Sequence, residues 1–244
     1  MSRTVLITGG TSGIGRAFVD TFARSGDEVW FTFFQGSERP EDVVAAYPNV
    51  RIKFFPLNLG EYESVSSLVK SLPSIPDVLI HNAGLGSKTV EKVATEPHLR
   101  DQALIQVNSI GTLWLNNLIA PEMVKRGSGK IILISSVGGG ITQVPGFHHA
   151  DGMSKAAIAF LGRILAADLA KTGVDVFTIC PGATDTPMFN ASTLNHLSES
   201  EKSGVIAALP KGRLIEPEEI AELGYFLASN AGRILHGAVI DASM

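Results

Sequence analysis

Short apolar runs alternate along the chain with longer segments in which apolar residues recur every three or four positions. The short runs are rich in β-branched and aromatic residues and predict seven strands, at residues 4–8, 28–34, 50–55, 77–81, 130–135, 175–180 and 238–241. The longer segments predict helices at residues 14–25, 62–72, 97–126, 154–172 and 217–227. Because the strand runs are almost continuously apolar, both faces of their sheet must be covered. The pattern predicts a doubly wound α/β domain of the Rossmann type, with a seven-stranded parallel sheet between helices.

The chain shows no shift of composition, linker or internal repeat, which predicts one domain over residues 1–244. Residues 190–212 stand out because they are polar, rich in Ser, Glu and Asn, and follow the end of a strand. A substrate lid is often found at such a place, and a plain solvated surface loop is the alternative.

Charge and cysteine content narrow the classes of function. Twenty Lys and Arg against 24 Asp and Glu give a net charge of −4, with no basic stripe for nucleic acid. The single cysteine, Cys180, excludes an internal disulfide and a multi-cysteine metal site, and its apolar neighbours favour an inert core thiol. No apolar run reaches the 18 or so residues of a membrane span, and the N-terminus leads straight into a strand. We therefore expect a cytoplasmic protein without a metal site, whose partners are small molecules and proteins.

The segment TGGTSGIG, residues 8–15, joins the first predicted strand to the first predicted helix. Its glycines leave side-chain volume free where the backbone must approach a diphosphate, and the helix offers free N–H groups and a positive dipole end. Such turns also form merely for tight packing, but a position directly behind an N-terminal strand favours a dinucleotide site. The residues predicted to bind this cofactor are Gly9, Thr11, Ser12, Gly13, Ile14 and Gly15.

The spacing Thr-Gly-x-x-x-Gly-Ile-Gly resembles the short-chain dehydrogenase/reductase family, and four further family motifs follow in order. HNAG (81–84) resembles the Asn-Asn-Ala-Gly motif, VNSIG (107–111) the segment of a catalytic asparagine, ILISSVGG (132–139) that of a catalytic serine, and PGATDTPM (181–188) the segment around the nicotinamide. The resemblance spans essentially the whole chain and is strongest to reductases related to 3-oxoacyl-carrier-protein reductase. It implies an NAD(P) cofactor and adds as binding residues Asn82, Ala83, Gly84, Pro181, Gly182, Thr184 and Thr186.

The choice between NADP and NAD depends on the end of the second strand. No carboxylate follows that strand immediately, whereas Ser37 and Arg39 are suited to a 2′-phosphate, so we expect NADP rather than NAD. A solvent-facing Arg39 is the alternative. After the third strand the family commonly has an aspartate near the adenine, where this chain has Asn58, whose amide can also bind an adenine edge.

The family reduces carbonyls with a Ser, a Tyr and a Lys, supported by an Asn. By position Asn108, Ser136 and Lys155 match, and Asp151 stands where the resemblance places the tyrosine. The serine would polarise the carbonyl, and the lysine would hold the ribose hydroxyls. For Ser136 and Lys155 the alternatives are a turn-forming serine and an ordinary surface lysine.

The short carboxylate of Asp151 cannot replace a phenol directly. We expect Lys155, four residues on, to lower its pKa and to form a helical ion pair with it, which would leave an anion opposed to a developing alkoxide. Alternatively Asp151 caps the helix N-terminus, acts as a base in an oxidation or elimination, or has no role. His148 or His149 is a candidate substitute acid, unless both lie on an exposed loop.

The predicted helix after Asp151 has an apolar stripe too broad to serve only the sheet, made of Met153, Ala156, Ala157, Phe160, Leu161, Ile164 and Leu165. In the family this helix and the preceding long one form a four-helix dimer interface, so the resemblance implies a homo-oligomer, a dimer or a tetramer. Core packing is the alternative explanation.

Three functions remain open. The first is an oxidoreductase of a small carbonyl or alcohol that obtains its proton from water, His149 or the substrate. The second is a noncatalytic cofactor-binding subunit in a hetero-oligomer with a competent paralogue. The third is a non-redox dehydratase or isomerase.

Overall fold

One parallel sheet organises the chain. The computed structural model describes residues 3–34, 38–140, 142 and 148–243. Its strands are β1 (Thr4–Ile7), β2 (Glu28–Phe33), β3 (Ile52–Pro56), β4 (Val78–His81), β5 (Gly129–Ile134), β6 (Val174–Pro181) and β7 (Val239–Ala242). They pair in parallel in the order β3-β2-β1-β4-β5-β6-β7, so the predicted seven-stranded parallel sheet is confirmed. The strand order reverses between β1 and β4, and in such sheets ligands bind beyond the carboxyl ends of the strands at that point.

The described α-helices lie between these strands. They are α1 (Gly13–Arg24), α2 (Pro40–Ala45), α3 (Tyr62–Ser71), α4 (Pro97–Ile105), α5 (Thr112–Arg126), α6 (His149–Leu169), α7 (Pro187–Phe189), α8 (Glu199–Ala208) and α9 (Pro217–Leu227). Of these helices, none that the structure describes is long and apolar enough to cross a membrane.

Two apolar layers cover the sheet, as the continuous apolar strands predicted. On one face α1 and α9 pack against the strands through Phe18, Phe22 and Ile220. On the other face α3, α5 and α6 contribute Leu68, Leu115, Ile119 and Ile158. The thiol of Cys180, in β6, is buried, and burial raises its pKa, which fits a core residue.

The predicted helix over residues 97–126 is wrong in its continuity. A wide π-helical turn, Gln106–Gly111, separates α4 from α5. Gly111 permits it, because a Cβ at that position would lie 2.1 Å from the carbonyl oxygen of Leu59. π-turns inside helices are frequent at functional sites, and this one carries Asn108.

Two other segments differ from their prediction. The predicted helix over 154–172 begins earlier, at His149, with His148 as its N-cap. Residues 190–212 are not a plain loop: they contain α8, whose N-cap Ser198 and Glu201 form a reciprocal capping box. A lid function for this segment stays a prediction.

Candidate active site

A cavity of about 1050 Å³ opens at the carboxyl ends of the strands, across the point where the strand order reverses. Most of the predicted cofactor and catalytic residues line it, although they are scattered along the sequence: Gly9, Thr11, Ser12, Gly13, Ile14, Asn58, Asn82, Ala83, Gly84, Ser136, Asp151, Lys155, Pro181, Gly182, Thr184 and Thr186. Gly15, Arg39 and Asn108 lie outside its lining, and Ser37 is outside the described residues.

The glycine-rich loop after β1 is fastened to the loop after β4. The amide nitrogen Nδ2 of Asn82 donates to the carbonyl oxygens of Thr8 and Gly9, at 3.0 and 3.2 Å. In return Thr8 Oγ1 accepts from the backbone N–H groups of Asn82 and Ala83, both at 2.9 Å. These bonds fix two neighbouring strand ends as one edge of the cavity.

Gly15 lies behind this edge, where α1 passes closest to the loop. A Cβ on Gly15 would lie 2.0 Å from the carbonyl oxygen of Gly9 and 2.4 Å from Asn82 Nδ2. Only a glycine therefore lets α1 start here and present its N-terminal N–H groups to the cavity. Free N–H groups and a positive dipole end are what a phosphate group requires, so this edge fits a diphosphate.

The segment after β2, where Arg39 was expected to face a 2′-phosphate, has a different charge arrangement. The guanidinium of Arg39 is 76% exposed, 3.7 Å from a carboxylate oxygen of Glu41, and it turns to solvent rather than to the cavity. Glu38 forms an ion pair with Arg16, which also bonds Asp20 at 2.9 Å. The nearest carboxylate after β2 is therefore already engaged by a cation.

Asn58, after β3, lines the cavity near the same end. Its side-chain oxygen Oδ1 accepts from the N–H of Gly60 at 2.9 Å, which closes a tight turn. The turn does not use the side-chain nitrogen Nδ2 of Asn58, so this hydrogen-bond donor is available to a ligand.

Asn108, buried in the π-helical turn, joins the loop after β4 to α6. Its Oδ1 accepts from the N–H of Leu85 at 2.7 Å, and its Nδ2 donates to the carbonyl oxygen of Leu85 at 2.9 Å. The same Nδ2 donates to Ser154 Oγ at 2.9 Å, and Ser154 Oγ donates to the carbonyl oxygen of Asp151 at 2.7 Å. Asn108 thus positions two cavity walls without lining the cavity itself.

Asp151 is 3% exposed and belongs to the first turn of α6. Its Oδ2 accepts from Ser87 Oγ at 2.9 Å. The predicted helix cap is wrong, because His148 is the N-cap and the carboxylate bonds across to the loop after β4.

The direction expected for the pKa shift of Asp151 is also wrong. Between these two described residues there is no ion pair, and Asp151 interacts with Lys155 only at longer range. Burial raises the pKa of the Asp151 carboxyl, and this outweighs Lys155 and Ser87, which both lower it. Removing water therefore decides the direction of the shift.

Lys155 lies one turn further along α6, half-buried in the cavity wall. Burial lowers the pKa of its ammonium, whereas the carboxylate of Asp151 raises it. A Cβ on Gly84 would lie 3.4 Å from Lys155 Nζ and 3.0 Å from Asn108 Oδ1, so that glycine leaves room for both.

The remaining predicted groups divide between the cavity and the surface. Ser136 lines the cavity just beyond β5, and its neighbour Ser135 bonds the carbonyl oxygen of Lys155 at 2.7 Å. His149 is exposed and does not lean over the cavity, contrary to one alternative considered above. His148 points elsewhere, with its Nε2 3.6 Å from a carboxylate oxygen of Asp101.

Sequence analysis missed several cavity residues. Ser87, the hydrogen-bond partner of Asp151, lies in an irregular loop where a serine is ordinary turn chemistry, so no sequence signal distinguishes it. Lys92, Met188 and His196 line the cavity with exposed side chains, and the half-buried Gln106 lines it from the π-helical turn. The sequence singles out the 190–212 segment as a whole but not His196, which is the one titratable side chain of that segment among the described residues that line the cavity.

Residues 3–196 match the short chain dehydrogenase family, and the chain belongs to that family. Oxidoreductase UcpA of Salmonella typhimurium is 33% identical over 250 residues, covering 98% of this chain and 93% of that protein. The 3-oxoacyl-(acyl-carrier-protein) reductase FabG of Escherichia coli K12 is 29% identical over 244 residues, covering 99% and 96%. Among solved structures, an F189W actinorhodin polyketide ketoreductase with NADPH has a TM-score of 0.86 at 25% identity, covering 98% of this chain and 95% of its own.

Proposed function

We propose that this protein is a nicotinamide-dependent oxidoreductase of a small molecule. The observation that carries the proposal is one cavity that joins a glycine edge fit for a diphosphate to a cluster of Ser136, Asp151 and Lys155. The cofactor would supply or accept a hydride. This chain's residues would bind its diphosphate at Gly9–Gly15, hold its ribose through Lys155, and face its nicotinamide with the segment after β6, Pro181–Thr186.

We propose NADP rather than NAD as that cofactor. The carboxylate after β2 that would select NAD is engaged by Arg16. Arg39 is exposed and 3.7 Å from a carboxylate oxygen of Glu41, a surface contact that it could exchange for a 2′-phosphate. The relative solved with NADPH agrees with this choice.

A titration tests the cofactor. NADPH fluorescence should change on binding to the native protein, with a Kd at least about 10-fold lower than that of NADH, which corresponds to roughly 1.4 kcal/mol. The variant Arg39→Ala should lose most of this preference by weakening NADPH alone, whereas Arg51→Ala, an exposed cation after α2, should keep it. Equal affinity for the two cofactors would contradict NADP, and no binding of either would contradict the proposed function.

We propose that Asn108, Ser136, Asp151 and Lys155 form the working site, with Asp151 in the place of the family's tyrosine. Asn108 acts as a positioning residue, because its amide holds Leu85 and, through Ser154, the first turn of α6. Ser136 would polarise the substrate. In its carboxylate form Asp151 has no proton to give and opposes a developing alkoxide, so reduction of simple ketones by that form should be slow.

The variant Asp151→Tyr tests this assignment. Restoring a phenol beside Lys155 should raise kcat/KM for small ketones at least about 10-fold, because a well-placed general acid contributes roughly 10² to 10⁴ in rate. The control Asp101→Tyr alters a carboxylate outside the cavity and should leave ketone reduction unchanged. If NADPH still binds to Asp151→Tyr and no ketone is reduced faster, Asp151 is not at the proton-donor position.

We also propose that the chain forms a homo-oligomer through α6. Met153, Phe160 and Ile164 on this helix are 63%, 68% and 44% exposed. Large apolar side chains grouped on one exposed helix face are typical of a protein interface.

A further inference from the structure

The cavity presents a single negative side chain where the substrate would react. Of the described residues that line it, Asp151 is the one carboxylate, and Lys92, Lys155 and His196 are its basic groups. Lys92 and His196 are exposed at the outer part, so only Asp151 and Lys155 are charged groups at the inner end.

The Asp151 carboxylate has capacity to bind a ligand. Ser87 Oγ donates to Oδ2 at 2.9 Å, and the other described contact of the Ser87 hydroxyl is with the backbone N–H of His148 at 3.2 Å. A carboxylate offers about four lone-pair sites, so Ser87 fixes the orientation of the group without filling it. The long-range contact with Lys155 leaves the carboxylate available to a second cation.

This charge suits one kind of electrophile better than another. When a neutral carbonyl accepts a hydride, its oxygen becomes an anion, which an adjacent carboxylate repels and which needs a proton. When an iminium ion accepts a hydride at carbon, the electron pair of the C=N bond moves to nitrogen and gives a neutral amine. That reaction needs no proton donor, and the positive charge it removes from the substrate appears on the nicotinamide ring.

We propose that the substrate class is a cationic iminium compound, reduced to an amine, with the carboxylate of Asp151 contacting the iminium nitrogen and Ser87 orienting that carboxylate. The inference rests on the proposed nicotinamide-dependent function. Hydride comes from the reduced nicotinamide, the C=N π bond breaks, a C–H bond forms, and the oxidised nicotinamide and the amine leave. A cationic substrate nitrogen beside Asp151 would also favour the ionised form of this carboxyl, which burial disfavours.

Two matched probes test the proposal with the native protein and NADPH. N-methyl-3,4-dihydroisoquinolinium is a permanent iminium that takes no proton, and 1-tetralone is a neutral ketone of similar size and shape. Nicotinamide absorbance should show kcat/KM at least about 100-fold higher for the iminium, after subtraction of the rate without protein. A ketone rate equal to or above the iminium rate would overturn the proposal.

The variant Asp151→Asn keeps the shape of the side chain and removes its charge. It should lower kcat/KM for the iminium at least about 10-fold while NADPH affinity stays within about twofold. Binding without turnover gives a second readout: with oxidised NADP present, calorimetry should show the iminium binding about 10-fold more weakly to Asp151→Asn than to the native protein. Equal binding by the two proteins would mean that Asp151 does not recognise the cation.

Failure of this inference is distinguishable from failure of the proposed function. If NADPH does not bind at all, the proposed function is wrong, and the iminium assignment is wrong with it. If NADPH binds and the iminium is neither bound nor reduced, the cofactor assignment stands and the iminium assignment is overturned.

Discussion

Gly15→Ala should weaken NADPH binding at least about 100-fold, because the new methyl group would lie 2.0 Å from the carbonyl oxygen of Gly9 and 2.4 Å from Asn82 Nδ2. Neither neighbour can retreat, since Gly9 is backbone and Asn82 holds both Thr8 and Gly9 by hydrogen bonds. The loop or the start of α1 must therefore shift, and both form the predicted diphosphate edge. Fluorescence titration of NADPH measures the loss.

Gly204→Ala is the matched control for this substitution. Gly204 lies in α8, and a Cβ there meets nothing within 4 Å among the described residues. The control should bind NADPH as the native protein does and gain roughly 0.5–1 kcal/mol in unfolding free energy, because alanine is the better helix former. An unchanged NADPH affinity in Gly15→Ala would show that the cofactor does not use this edge.

His81 should make the protein unstable in acid. The side chain, at the end of β4, is buried, and burial lowers its pKa to about 3. The unfolded chain has a histidine pKa of about 6.5, so below that pH the unfolded state binds a proton that the folded state refuses. The contribution of neutral His81 to stability is complete above about pH 6.5 and is lost as the pH falls towards 3, at roughly 1.4 kcal/mol per pH unit and about 5 kcal/mol in all.

Urea unfolding at several pH values between 7 and 5 measures this slope. His81→Asn cannot titrate in that range and should lose most of the fall in unfolding free energy. His149→Asn removes an exposed histidine and should keep the native slope. If His81→Asn and the native protein show the same pH dependence, the acid sensitivity comes from other groups.

The fold was predictable because burial on both faces of a parallel sheet leaves a direct trace in the sequence. In β5, with the sequence GKIILI, the last four residues are all apolar, and the helices between the strands show their three-and-four spacing. The break at Gln106–Gly111 was not predictable in the same way. It depends on the close approach of Gly111 to the backbone of Leu59, which lies more than 50 residues earlier in the chain.

The sequence predicts which residues meet at the site but not the pKa shift of Asp151. Most residues that the sequence motifs name line the cavity, since they follow strand ends that a parallel sheet brings to one edge. The sequence also places a lysine one helical turn after Asp151, and from this lysine alone a lowered pKa of the Asp151 carboxyl is expected. Only the packing of Ser87 and the loop after β4 over that carboxylate shows that water is removed and that burial dominates.

The two-sided bond between Asn108 and Leu85 limits how this protein can be re-engineered. A carboxylate in that place would lose both bonds donated by Nδ2, and a hydroxyl cannot span a peptide N–H and its own carbonyl at 2.7 and 2.9 Å. Libraries that aim at new substrates should therefore keep the amide fixed and randomise the mouth of the cavity at Lys92, Met188 and His196. Those three side chains are exposed and lie outside the hydrogen-bond network through which Asn108 holds Leu85 and α6.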